Sequence, residues 1–208
     1  VILRSLRGLY AITDEALIPD ATFAATVEQA LSGGATIVQY RDKSDDAGKR
    51  LHQATALREL CDRYAASLII NDDIELAKAV TADGIHLGED DASIEQARDL
   101  LGSKKVIGIS CYNQLERALH AQASGADYVA FGAIFSSPTK PAARSASCAL
   151  VTEAKSRLDI PVCAIGGIDE SNAAQVVDAG ADMVALISGL FCVDDIQQTA
   201  RHIAGLFA

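Results

Sequence analysis

Short apolar runs recur along this chain. Each ends in polar residues or glycine, and each is followed by a stretch with helical spacing. Eight such runs can be placed, at 8–13, 36–41, 67–71, 83–87, 105–110, 127–132, 161–166 and 182–188. They consist mostly of Val, Ile, Leu and Ala, which predicts strands buried on both faces. Amphipathic stripes lie between them. Phe23, Val27, Ala30 and Leu31 share one helical face, and Leu51, Ala54, Leu57, Leu60 and Cys61 share another. Glycines mark the expected helix ends, at Gly33-Gly34, Gly102, Gly125 and Gly180. Three joins echo one another: Thr81-Ala82-Asp83, Gly125-Ala126-Asp127 and Gly180-Ala181-Asp182, each just before an apolar run.

Strands alternating with helices imply a parallel sheet with right-handed crossovers. Eight units imply closure, so the expected fold is α/β, a single (β/α)8 TIM barrel over residues 1–208. An open doubly wound sheet is the plainer alternative, but no Gly-x-Gly-x-x-Gly follows the first run.

Composition narrows the partners. The formal net charge is −10, which repels nucleic acid and anionic membranes. Anionic small molecules would need local cations or a metal to reverse that field. The five cysteines, Cys61, Cys111, Cys148, Cys163 and Cys192, show no metal-ligand or redox spacing. They read as reduced thiols in a cytoplasmic protein. No run is long enough to span a bilayer, and no signal-peptide pattern is recognised.

In a β/α barrel the chemistry stands at the C-terminal ends of the strands. The second run ends in Gln39-Tyr40-Arg41-Asp42-Lys43, where alternation points Gln39, Arg41 and Lys43 one way. Two cations there can grip phosphate, or they can form a solvated cluster with Asp42. The third run ends in Asn71-Asp72-Asp73, the fourth in His86-Leu87-Gly88-Glu89-Asp90-Asp91. Carboxylates beyond adjacent strands can share Mg²⁺, or they can cap helices. Asp73 and Asp90 suit capping, whereas Asp72 and Asp91 suit either role. His86 reads as a satisfied core histidine.

The fifth run ends at Ser110, which can donate to phosphate or cap a helix. The sixth leads into Ser136-Ser137-Pro138-Thr139-Lys140, a loop suited to a polyanion. Gly166, Gly167, Ser188 and Gly189 follow the last two strands, where barrels frequently hold phosphate. Two phosphate regions are implied. One lies near Arg41, Lys43 and Lys140 with a metal, the other near Gly166, Gly167 and Ser188.

The ordered set resembles thiamine-phosphate synthases. It comprises Gln39-Tyr40-Arg41-Asp42-Lys43, Asn71-Asp72, His86-Leu87-Gly88-Glu89-Asp90-Asp91, Gly108-Ile109-Ser110, Phe131-Gly132-Ala133-Ile134-Phe135, Thr139-Lys140 and Ala164-Ile165-Gly166-Gly167-Ile168. The resemblance implies that hydroxymethylpyrimidine pyrophosphate loses pyrophosphate while the ring nitrogen of a thiazole phosphate attacks its methylene carbon. It implies Mg²⁺ on Asp72 and Asp91, and pyrophosphate contacts from Arg41, Lys43, Asn71, Ser110 and Lys140. Gln39 would stand near the pyrimidine, and Ser137, Thr139, Gly167, Ile187 and Ser188 near the thiazole phosphate. Assembly as a homo-oligomer is left open.

The chain departs from the family pattern at Tyr40, at Asp73, at Ser136-Ser137-Pro138 and over residues 141–147. Three rivals share the fold. They are a thiazole tautomerase-like paralogue, a non-catalytic barrel binding thiamine precursors, and another sugar-phosphate barrel enzyme. The tautomerase would use a histidine after the fifth strand, where this chain has Ser110-Cys111-Tyr112-Asn113.

Overall fold

The computed structural model describes residues 6–135 and 145–208. Eight parallel strands close in chain order: β1 (Gly8–Ile12), β2 (Ile37–Tyr40), β3 (Ser67–Asn71), β4 (Gly84–Leu87), β5 (Val106–Tyr112), β6 (Tyr128–Phe131), β7 (Val162–Ile165) and β8 (Met183–Leu186). Pairing of Leu9 with Val184 joins β1 to β8 and completes the expected barrel. The helices are α1 (Phe23–Ser32), α2 (Ala47–Arg63), α3 (Ile74–Ala79), α4 (Ile94–Leu101), α5 (Leu115–Ala123), α6 (Cys148–Arg157), α7 (Ala173–Asp178), α8 (Ser188–Phe191) and α9 (Ile196–Gly205).

Burial on both faces explains why the strands are apolar throughout. Tyr10, Ile12, Ile37, Ile69, Val106 and Met183 fill the interior, while Leu9, Ala11, Val38, Leu68 and Ile70 pack under the helices. The α1 stripe of Phe23, Val27, Ala30 and Leu31 is buried as expected. In α2 the stripe begins later, because Leu51 is 46% exposed and Gln53 is buried instead. Gln53 accepts from Tyr40 Oη at 3.0 Å and donates to Asp20 at 3.1 Å, so its polar end is satisfied in place. Two strand ends also differ. β5 continues to Tyr112 through a register shift, and β8 stops at Leu186, leaving Ile187 to cap α8. None of the five cysteines forms a disulfide, and burial pushes the Cys111 thiol up to about 12.

The three echoing joins turn out to be one device used three times. Asp83 accepts from the Leu68 backbone N–H and from Arg58, both at 2.8 Å. Asp127 accepts from the Ile107 N–H and from Arg98, both at 2.7 Å. Asp182 accepts from the Val162 N–H and from Lys155, both at 2.7 Å. Each carboxylate holds the start of the preceding strand and a cation from the helix before that strand. The motif sits at the N-terminal end of the barrel, the face associated with stability. Asp182→Ala is expected to cost about 1–3 kcal/mol, from an orphaned N–H and a lost charge-assisted bond. Urea melts would read that loss, and unchanged turnover per folded molecule would place Asp182 outside the site.

Candidate active site

The opposite, C-terminal rim gathers the polar strand ends. Asp72 follows β3 with a left-handed backbone, φ 61°, a conformation that Asp tolerates better than most residues. Its Oδ2 accepts from Lys43 Nζ at 2.5 Å and from Asn71 Nδ2 at 2.6 Å. The Asp91 carboxylate, arriving from the β4 end, stands within hydrogen-bond reach of Asp72. Burial, reinforced by Asp91, raises the Asp72 carboxyl above its usual range although Lys43 opposes the shift. Gly88 leaves room for this approach, since a Cβ there would lie 2.9 Å from Asp91 Oδ2, and its N–H donates to that oxygen at 2.7 Å.

Two converging carboxylates, one of them paired with Lys43, offer oxygen donors of the kind Mg²⁺ takes, with phosphates and waters completing its shell. Among the described residues no three His, Cys, Asp or Glu side chains cluster around a common point. A cleft of about 240 Å³ lies on the β2–β3 side of Asp72, walled by Tyr40, Lys43, Arg50, Asn71, Asp72 and Asp73, and Asp91 does not line it.

The neighbouring charges sort differently from the local sequence. Arg41 pairs with Asp14 at 3.0 Å, not with Asp42. Asp42 turns away to meet Lys49 at 2.9 Å and the Ser44 N–H at 2.7 Å. Burial would raise the Asp42 carboxyl, but Ser44 and Lys49 outweigh it and hold it low. The Arg41 main chain is clamped by buried Thr13, whose hydroxyl accepts from its N–H at 2.9 Å and donates to its carbonyl at 3.1 Å. Asp73 caps α3 as expected and pairs with Arg50. Asp90 does not cap α4, because Ser93 takes that position with a full capping box to Gln96. Tyr40 points outward against Phe23 and Gln53, away from the barrel axis.

Gln39 and Ser110 face inward. Gln39 Nε2 donates to Tyr10 Oη at 2.7 Å, and Tyr10 and Tyr128 hydroxyls lie 2.9 Å apart. His86 Nδ1 meets Tyr128 Oη at 2.9 Å, and its Nε2 meets Ser110 Oγ at 2.9 Å. Burial lowers the His86 imidazole to about 4, against a small opposing effect of Asp91, so the ring is neutral near pH 7. Both of its nitrogens are satisfied, as the core reading expects. Arg117 braces the same region. It donates to the Ser110 carbonyl at 2.8 Å and to the Gly88 carbonyl at 3.4 Å. Thr13 and Asp14 close the first run, the strand end from which no candidate was taken, and Arg117 lies in α5, away from any strand end.

The other arc of the rim lies after β6 to β8. Gly166 and Gly167 both have left-handed backbones, φ 101° and 63°. A Cβ on Gly166 would crowd Ala133 at 2.6 Å, which explains the glycine where the sixth and seventh loops meet. Ile165 and Ile187 pack against the interior cluster from partly buried positions. Ser188 opens α8, so it stands after the strand and not within it. Ser137, Thr139 and Lys140 fall outside the described residues. The described flanks are fixed to the rim, Phe135 N–H to the Gly166 carbonyl at 2.9 Å and Asn113 to the Ser145 carbonyl at 3.2 Å.

Comparison with known proteins decides among the barrels. Residues 9–190 match the family model described as thiamine monophosphate synthase. The chain belongs to the thiamine monophosphate synthase family. The thiamine-phosphate synthase of Thioalkalivibrio sulfidiphilus is 52% identical over 202 residues, covering 97% of this chain and 96% of that protein. That of Nitrosococcus oceani is 53% identical over 196 residues, covering 94% and 90%. The solved thiamine phosphate pyrophosphorylase of Pyrococcus furiosus superposes with a TM-score of 0.89 at 35% identity, covering 99% of this chain and 97% of that one. In this chain the inward Gln39 and Ser110 and the paired Asp72 and Asp91 occupy one continuous arc, from β2 to β5.

Proposed function

We propose that this chain couples hydroxymethylpyrimidine pyrophosphate to a thiazole phosphate, giving thiamine phosphate and pyrophosphate. The observation that carries the reading is the convergence of Lys43, Asn71, Asp72 and Asp91 at one arc of the rim. The C–O bond to pyrophosphate breaks and its electron pair leaves with the anion. The thiazole nitrogen supplies the pair for the new C–N bond, so no proton need be taken up or released.

That balance asks for no nucleophilic side chain. Lys43, Arg41, Asn71 and Ser110 would hold the departing pyrophosphate, and Lys140 would join them from the sixth loop. Asp72 and Asp91 would hold Mg²⁺, which when bound supplies positive charge to the pyrophosphate oxygens. Gln39 would orient the pyrimidine from the barrel interior. Ser137, Thr139, Gly167, Ile187 and Ser188 would seat the thiazole phosphate on the other arc, so that the nitrogen meets the carbon in line. Among the described residues no helix is long and apolar enough to cross a membrane.

The test supplies both substrates with Mg²⁺ and measures thiamine phosphate. A second arm supplies the thiazole tautomer alone. The expected result is coupling without faster aromatisation, because proton transfer near neutral pH needs a group that titrates there. His86, lowered to about 4 by burial, does not. Accelerated conversion of the tautomer, abolished by His86→Ala, would assign the isomerase activity instead.

A further inference from the structure

Beneath the rim, five side chains from five strands form one hydrogen-bonded row: Gln39, Tyr10, Tyr128, His86 and Ser110. The proposed function uses the two ends. It leaves the three in the middle without a role, although all three are at most 8% exposed. Their surroundings are aliphatic, with Ile12, Ile37, Ile69, Val106 and Met183 alongside. Room for the row is built in, since a Cβ on Gly108 would overlap the Tyr128 ring.

Counting protons gives the row a direction. Gln39 Nε2 donates to Tyr10 Oη, so the Tyr10 hydrogen is left to bridge to Tyr128 Oη. The Tyr128 hydrogen then goes to His86 Nδ1. A neutral imidazole has one donor and one acceptor nitrogen, so Nε2 carries the proton and donates to Ser110 Oγ. The Ser110 hydrogen then has no place left in the row and is available to a partner outside it. At the other end the Gln39 carbonyl oxygen is left to accept. The reversed row would aim the serine lone pairs at the pyrophosphate, so an anion favours the direction that Gln39 already sets.

We infer that Tyr10, Tyr128 and His86 are positioning residues that fix the polarity of the site, presenting Ser110 as a donor to the anion and Gln39 as an acceptor to the pyrimidine. The inference rests on the proposed placement of Ser110 against pyrophosphate. Its physical content is preorganisation. A lone serine hydroxyl rotates between donating and accepting, whereas a bond received from His86 occupies one lone pair here and turns the hydrogen away from the ring.

The experiment titrates inorganic pyrophosphate with Mg²⁺ by calorimetry into wild type, Ser110→Ala, Tyr128→Phe and the double variant. Tyr128→Phe removes the single oxygen at the centre of the row. It is expected to weaken pyrophosphate about three- to tenfold, the scale of one hydrogen bond. In the Ser110→Ala background the same change should cost less than about twofold, because its effect runs through Ser110. An equal loss in both backgrounds, or no loss in either, overturns the relay while leaving the reading of Ser110 intact. Unchanged binding in Ser110→Ala alone overturns that reading and the relay with it. Should Tyr128→Phe fail to fold, His86 decides. His86→Gln can keep an amide N–H near the Nε2 position and His86→Asn cannot, so Gln is expected to retain the tighter binding. Equal or reversed order counts against the relay.

Discussion

Asp72→Asn or Asp91→Asn is expected to lower turnover by on the order of 10²-fold or more, the scale of losing one electrostatic stabiliser of a developing anion. Asn is the informative replacement at 72. The backbone there is left-handed at φ 61°, which Asn accepts and Ala does not without strain. Asn also keeps an oxygen that can accept from Asn71, so a collapse in rate reports lost charge. Burial raises the Asp72 carboxyl and the nearby Asp91 adds to that shift, and a shared cation would relieve the repulsion between the two. The second arm of the test is therefore chelation. EDTA-treated protein is expected to be inactive and Mg²⁺ to restore it, with the melting temperature of the apo protein within a few degrees of the untreated one. Full turnover in EDTA would remove the metal from the reading and leave the carboxylates as loop anchors.

The barrel was legible because its signal is repetitive. Eight apolar runs separated by helical spacing admit few arrangements, and all eight strands appear within two residues of the expected bounds. What local pattern could not show is which end of a run yields to its neighbours. β8 stops at Leu186 because Ile187 adopts a backbone outside the strand region and opens α8. Leu51 looked like a core position from spacing alone. Its turn of α2 faces solvent, and the stripe is set by Ala54, Leu57, Leu60 and Cys61. Asp90 looked like a cap because Asp favours helix starts, yet the chain runs on to Ser93, whose capping box with Gln96 satisfies more groups.

The site was legible where chemistry and strand end coincide, at Lys43, Asn71, Asp72 and Asp91. It was not legible where support comes from a distant part of the chain. Arg41 lies one residue from Asp42, yet its carboxylate partner is Asp14, 27 positions away and on the neighbouring strand's loop. Tyr10 and Tyr128 could have been found. Each falls on the inward register of its strand, and a phenol inside an aliphatic barrel needs a polar partner. Their positions predict a buried network, although not its members. Arg117 offered no such signal, because nothing in α5 alone says that its guanidinium reaches back to the Ser110 and Gly88 carbonyls.

Lys43→Ala is expected to lower turnover about 10- to 10²-fold with little change in stability, and its pattern of effects tests the two-arc reading. The side chain is 52% exposed, and exposed positions away from the core usually cost within about 0.5 kcal/mol. Its loss matters for charge. The formal net charge of the chain is −10, and this arc already holds Asp72 and Asp91. Without Lys43, the Asp72 oxygen keeps only Asn71 as a neutral donor, and an incoming pyrophosphate meets an uncompensated field. The KM for the pyrimidine substrate and the inhibition constant of pyrophosphate should therefore rise together. The KM for thiazole phosphate should hold, because Gly167 and Ser188 follow β7 and β8 on the other arc of the rim. Lys43→Arg should recover part of the loss, since it restores the charge but not the compact ammonium. An equal rise in the thiazole phosphate KM would mean that one pocket serves both phosphates, and the separation into two arcs would fall.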